Sequence, residues 1–216
     1  MAHDLVELRK IFTSTLASDC QDKLGYGRQV LNEDINMLSG SGIMMGYAFP
    51  VRLEIVNSFP EVPYIGLLKA LDAVGKDQVY VTPTNRTGRA ALWGELLSTA
   101  CAFKGVAGAL TDGPIRDLSR TDAMGFKVFA TGTLPVDING RYEVVEHNVS
   151  CEIDGVTINP GDLIVGDNDG VTIVPVAAID AVVEAVIEKN SGENLFRKAV
   201  KEGMSPSAAF AKYGVL

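Results

Sequence analysis

A chain of 216 residues with 47% hydrophobic content and 22 glycines is long enough to bury one good core and too apolar to stay disordered, so it reads as a single domain over 1–216. Its formal net charge of -8 argues against a nucleic-acid binder, which needs a basic face, and no apolar run approaches the roughly 18 residues of a membrane span. Cys20, Cys101 and Cys151 lack metal-ligand spacing and cannot all pair, so they read as reduced thiols in a cytoplasmic protein, while His3 and His147 alone supply neither a histidine zinc centre nor an obvious Ser-His-Asp triad.

In chain order, Asp4, Glu7 and Arg9 interrupt the N-terminus where a secretory signal would need an apolar run. Leu5, Leu8, Ile11 and Phe12 stand at helical spacing. Residues 14–24 predict a second helix, with Ser14 or Thr15 as its cap and Leu16 and Leu24 inward. Ser18-Asp19-Cys20 within it is either an internal polar face or a substrate contact. Gly40-Ser41-Gly42 opens a strand region, in which Val51, Leu53 and Ile55 alternate with Arg52 and Glu54. Met44-Met45 reads as core filler. Pro60 and Pro63 precede a helix over 64–74, and Val79-Tyr80-Val81 makes a short buried strand. The polar stretch Thr84–Arg89 follows. It is a solvated loop or a lid, and Arg86 and Arg89 could add positive charge beneath it.

The stretch 93–117 carries the chemistry. Apolar residues at 93, 96, 97, 100, 101 and 103 predict a helix starting near Gly94 and closed by Gly105. A short run of small and apolar residues then predicts a buried strand, broken at Asp112-Gly113-Pro114. A helix start offers free N–H groups and a positive dipole end to an anion. An Arg just past a strand can fork onto a carboxylate or oxyanion, and an Asp beside it can hold a hard cation. An anion seat, a guanidinium and a metal carboxylate among Gly94, Glu95, Leu96, Leu97, Arg116 and Asp117 could therefore converge on one small dianion, but spacing alone does not make a site, since Arg-Asp neighbours are also a local ion pair or helix cap.

Next, 118–124 predicts a helix and 127–130 a strand. Helix, strand, helix, strand over 91–130 implies parallel strands joined by crossover helices, whose active sites gather at the strands' carboxyl ends. From 142 to 174 the pattern changes to hairpins punctuated by Asp154-Gly155, Pro160-Gly161 and Asp169-Gly170. Asp162, Asp167 and Asp169 read as turn chemistry, because the twelve-residue calcium loop with its closing Glu is missing. Past Pro175, Ile179, Val182, Val183, Val186 and Ile187 form an apolar stripe, and 188–197 is polar.

Trp93-Gly94-Glu95-Leu96-Leu97, Thr111-Asp112-Gly113-Pro114-Ile115-Arg116-Asp117 and Pro160–Val171 resemble the signature of the RraA-like family. In its aldolases an acidic residue, twenty intervening residues and Arg-Asp recur, as Glu95 and Arg116-Asp117 do here. The family's acidic residue is often Asp, so Glu95 reaches one methylene further. Ser18-Asp19-Cys20 is reminiscent of an early family stretch. The resemblance implies a swivelling-type mixed α/β sandwich with a central sheet, phosphohistidine-domain-like. It implies a Mg²⁺- or Mn²⁺-dependent class II pyruvate aldolase cleaving 4-hydroxy-2-oxo dicarboxylic acids, such as 4-hydroxy-4-methyl-2-oxoglutarate, with an oxaloacetate decarboxylase side activity. Asp117 would hold the metal, Gly94 to Leu97 and Arg116 the substrate, and Glu95 and Arg116 would act in catalysis. Glu193, or failing it Glu188, would complete the site from a neighbouring subunit of a homotrimer or homohexamer. The family also contains non-catalytic regulators of ribonuclease activity, which is the alternative. A methyltransferase label also used in the family finds no glycine-rich nucleotide loop here.

Overall fold

The computed structural model describes residues 3–86 and 90–215. Short α1 (Leu5–Leu8) and α2 (Ser14–Lys23) lead into β1 (Asn36–Ser39) and the long β2 (Met44–Ile55). Then α3 (Ile65–Ala73), β3 (Gln78–Thr82), α4 (Glu95–Phe103) and β4 (Gly108–Thr111) alternate. After β5 (Pro114–Ile115) come α5 (Leu118–Ala123), β6 (Val128–Ala130) and β7 (Gly132–Thr133). The hairpin region holds β8 (Tyr142–His147), β9 (Cys151–Ile153), β10 (Val156–Ile158), β11 (Leu163–Asp167) and β12 (Gly170–Val174). Helices α6 (Ile179–Lys201) and α7 (Pro206–Tyr213) end the chain.

The main sheet has eight strands in the order β1-β6-β4-β3-β2-β11-β12, with β8 pairing the far half of β2. Strands β2, β3, β4 and β6 are mutually parallel, and β1, β8, β11 and β12 add antiparallel edges. The sheet is curled. β6 and β11 are separated by three strands, yet a Cβ added at Gly166 on β11 would lie 2.8 Å from the Phe129 ring on β6.

Side-chain alternation explains why the central strands read as unbroken apolar runs: both faces are buried. Val79, Val81, Leu110, Phe129 and Ile164 fill the concave face beneath the β9–β10 hairpin. Tyr80, Ala109, Val128 and Ala130 point the other way, against α3 and α4. Met44 and Met45 are both fully buried but belong to opposite faces, Met45 packing with α1, α2 and α6. The methionine pair is core, as its composition suggested.

Several local expectations are corrected. The cap of α2 is Thr13, whose hydroxyl accepts from the Leu16 N–H at 3.1 Å. Ser14 cannot cap, because its N–H and hydroxyl both donate to Asp167, at 2.8 and 2.6 Å. Leu24 and Ile187 are partly exposed rather than inward. The edge strand β1 gave no sequence signal. The acidic turn residues behave as expected: Asp162 accepts from the N–H groups of Asn159 and Val176, and Asp167 also accepts from Asp169. Asp19 pairs with Lys189, which favours the polar-face reading of Ser18-Asp19-Cys20. The cysteines are free thiols, and burial pushes Cys101 and Cys151 up to about 12.

One glycine fixes the distance between α3 and the sheet. A Cβ on Gly66 would lie 1.6 Å from the Val144 carbonyl oxygen of β8. Backbone cannot yield as a side-chain tip can, and overpacking of this kind costs about 1–3 kcal/mol. Gly66→Ala is therefore expected to lower Tm by roughly 3–10 °C in differential scanning calorimetry. An unchanged Tm would refute the close approach.

Candidate active site

The site is assembled where parallel strands end and crossover helices begin. Residues 91–93 run beside two other segments: Ala91 N–H donates to Val136 O at 2.7 Å, Leu92 N–H to Pro114 O at 3.0 Å, and Arg116 N–H to Trp93 O at 2.9 Å. This three-way pairing brings residues far apart in sequence to the start of α4. Gly94 is its N-cap in an extended conformation, and no side chain caps the helix. The N–H groups of Glu95, Leu96 and Leu97 thus have no intrahelical acceptor. A Cβ at Gly94 would lie 3.0 Å from Asp117 Oδ2 and 3.2 Å from Arg116 Cγ. Glycine lets both side chains come close to the helix end.

Asp117 occupies the N-cap of α5 with φ 55°, a left-handed conformation, and makes no capping hydrogen bond. An Asp at this position ordinarily spends its carboxylate on the first-turn N–H groups. Here the carboxylate turns to Arg116, with Oδ2 3.6 Å from Nε. On the other side, Arg116 Nη1 is 3.3 Å from Asp137 Oδ1. The Tyr64 hydroxyl donates to the second oxygen of Asp137. That bond first, and burial second, push the Tyr64 phenol up, so it keeps its proton and acts as a donor. One guanidinium therefore sits between two carboxylates at the mouth of a cavity of about 340 Å³.

Gly94, Leu96, Leu97, Arg116 and Asp117 all line this cavity, so five of the six sequence candidates in the 94–117 stretch come together. Glu95 does not. Its carboxylate accepts from the Thr99 hydroxyl one turn along, at 3.0 Å, and lies outside the cavity lining. Glu193, on α6, is also elsewhere, 3.8 Å from Lys189 and 3.5 Å from Arg197. Arg86 does not add charge to the cavity: it is clamped by Asp34 and Asp154. Residues 87–89 of the expected lid lie outside the described residues. Two polar cavity residues were missed by sequence reasoning, Tyr64 and Asp137. Neither has a motif, and their pairing spans 73 positions of chain.

Among the described residues no three His, Cys, Asp or Glu side chains form a closed metal cage. The donor set instead suits a hard cation. Mg²⁺ or Mn²⁺ binds through one or two carboxylates plus water and substrate oxygens. Asp117, with its carboxylate 45% exposed and free of capping duty, fits that role, and Asp137 is the second carboxylate of the cavity.

A family model described as "RraA-like: Aldolase/RraA" matches residues 14–173. A Halalkalibacterium halodurans protein named "Putative 4-hydroxy-4-methyl-2-oxoglutarate aldolase" is 26% identical over 207 residues, covering 96% of this chain and 93% of that one. An uncharacterised protein of Methanocaldococcus jannaschii is 33% identical, covering 82% of each. Among solved structures, Streptomyces coelicolor RraAS2, described as an unusual member of the RNase ES inhibitor RraA protein family, superposes with TM-score 0.77 at 25% identity, covering 91% of this chain and 97% of that one. No described helix is long and apolar enough to cross a membrane.

Proposed function

This chain belongs to the RraA-like family, and from that premise and the cavity's geometry we propose that it is a divalent-metal-dependent lyase that releases pyruvate from 4-hydroxy-2-oxo acids. The observation that carries the reading is the meeting of Arg116 and Asp117 at the uncapped start of α4, inside one cavity. That arrangement supplies an anion seat, a forked cation and a metal-binding carboxylate within a few ångströms.

The chemistry follows from the parts. The N–H groups of Glu95, Leu96 and Leu97 bind the carboxylate of the 2-oxo acid. Arg116 faces the C2 oxygen beside it. Asp117 would hold a Mg²⁺ or Mn²⁺ ion, which would supply Lewis-acid polarisation of the 2-oxo group. Glu95, turned from Thr99 toward the cavity mouth, takes the C4 hydroxyl proton through a water. As that proton leaves, the C4–O electrons form a carbonyl, the C3–C4 bond breaks, its electron pair becomes the C2–C3 double bond, and the C2 carbonyl pair moves onto oxygen. Arg116 donates to the resulting enolate oxygen, an effect worth on the order of 3 kcal/mol. Asp137, anchored by Tyr64, holds the guanidinium in that place. Protonation at C3 gives pyruvate. Oxaloacetate reaches the same enolate by losing CO₂, so decarboxylation accompanies the aldolase activity.

Chelation tests the reading directly. Pyruvate release measured by a coupled dehydrogenase assay should drop at least about 100-fold in EDTA and return with Mg²⁺ or Mn²⁺. Full activity after thorough chelation would falsify metal dependence. Glu193 lies away from this cavity within one copy of the chain, so the reading has it enter from a neighbouring copy in a homotrimer or homohexamer, visible in light scattering. A second reading, a protein-binding regulator, is favoured by the likeness to RraAS2 and by Leu96 at the cavity rim, 72% exposed. A stoichiometric nuclease partner without turnover of any 2-oxo acid would put it first.

A further inference from the structure

The Arg116–Asp117 pair stands between two cavities. One is the cavity before α4. The other, of about 510 Å³, opens on the far side of the pair. Among the described residues only Arg116 and Asp117 line both. The second cavity is built by the small parallel sheet. Strands β5 and β7 pair with Ile115 beside Thr133, so both end at its wall. The left-handed turn at Asp117 then sends the chain into α5, whose first turn carries Ser119 and Arg120 along the same opening.

The two cavities differ in charge. In the first, Arg116 lies between the carboxylates of Asp117 and Asp137. The second adds a guanidinium, that of Arg120, and brings no further carboxylate among its described lining residues. An Asp and an Arg three apart at the start of a helix are neighbours and ordinarily pair. Here Asp117 turns to Arg116 instead, and Arg120 makes no ion pair with a described residue. An open guanidinium on a cavity wall suits a carboxylate, which it takes through two parallel N–H donors. Ser119 and Thr133 add hydroxyl donors to the same wall. The span is short. Gly94, at the start of α4, lies against Asp117 Oδ2, and an (i, i+3) helix neighbour of Asp117 has its Cβ only about 5–6 Å away.

We infer that Arg120 is a specificity-determining residue: it binds the far carboxylate of a 4-hydroxy-2-oxo diacid whose 2-oxo acid end lies at the start of α4. This rests on the lyase reading for the placement of the 2-oxo acid end, and on the second cavity alone for the far carboxylate.

The experiment uses the full chain with Mg²⁺. Calorimetry compares 2-oxoglutarate with 2-oxopentanoate, in which a methyl replaces the far carboxylate. The parent is expected to bind 2-oxoglutarate at least about tenfold more tightly. Arg120→Gln should lose that preference while its affinity for pyruvate, which has no far carboxylate, stays within about twofold of the parent. Arg120→Lys should restore part of it, as a point charge without the fork. Arg28→Gln, the same loss of charge at an exposed arginine of a different cleft, should keep the preference, which separates a local contact from the overall field. An equal diacid preference in Arg120→Gln and the parent overturns the inference, as does an equal loss of affinity for pyruvate. Turnover distinguishes this from the lyase reading. Cleavage of 4-hydroxy-4-methyl-2-oxoglutarate with KM unchanged in Arg120→Gln keeps the lyase reading and removes Arg120. Diacid-selective binding that depends on Arg120, with no cleavage of any 2-oxo acid, keeps the Arg120 site and removes the lyase reading. If none of the three acids binds, both fall.

Discussion

Arg116→Ala is expected to lower kcat/KM for pyruvate release at least about 100-fold, mostly through kcat, while Tm stays nearly unchanged. The reason is the division between what holds the backbone and what faces the cavity. The Arg116 N–H bond to Trp93 O survives the substitution. The lost side chain is 36% exposed and makes ion pairs at 3.6 and 3.3 Å, which contribute little to stability. Its charge matters most when the C2 oxygen becomes an enolate, because that is when a fixed donor is worth more than it was in the ground state. Lysine should rescue poorly. A point charge cannot reach the enolate oxygen while also answering both flanking carboxylates, as a planar fork can. Steady-state kinetics on oxaloacetate and on a 4-hydroxy-2-oxo acid, with calorimetric Tm as control, decide it. Near-wild-type turnover in the alanine variant would remove Arg116 from the reaction.

Much of this site could be read from sequence because it is local. Gly94 to Leu97 are neighbours on one helix start, and Arg116-Asp117 follow a strand whose apolar run was clear. The central strands were legible for the same reason, since burial on both faces leaves no polar residue to blur them. What escaped depends on distant partners. Thr13, Ser14 and Thr15 are equivalent capping residues in sequence, and Asp167, 153 positions away, decides among them by binding Ser14. Asp137 sits in an irregular segment with no periodicity, and long-range pairings, Ala91 with Val136 and Leu134 with Ile115, bring it to Arg116. Glu95 shows a different limit. Spacing places its Cα at the helix start, but the side-chain torsions that carry its carboxylate to Thr99 are not encoded in spacing. The four-residue β1, exposed at its start and paired only with β6, offers too little pattern to register.

Asp117 calls for a different substitution, because backbone and carboxylate make separate demands there. Its φ of 55° lies in the left-handed region, where Asn is tolerated nearly as well as Asp and Ala is strained. Asp117→Asn therefore keeps the turn into α5 and the side-chain volume, and removes only the negative charge. We expect kcat/KM to drop at least about 100-fold, and the affinity for Mn²⁺ measured by calorimetry or electron paramagnetic resonance to weaken at least about tenfold. Asp117→Ala should match it in activity and also lose some Tm, since it adds backbone strain to the missing ligand. Comparing the two variants separates the roles. If the Asp117→Asn variant binds Mn²⁺ as tightly as the parent and turns over within about threefold of it, the carboxylate is not a metal ligand and the cation is held elsewhere. If activity is lost while Mn²⁺ affinity is kept, Asp117 acts on Arg116 rather than on the metal, because the Nε contact at 3.6 Å is then its remaining route to the reacting oxygen. A joint loss of turnover and affinity at unchanged Tm is the outcome that a metal-holding carboxylate requires.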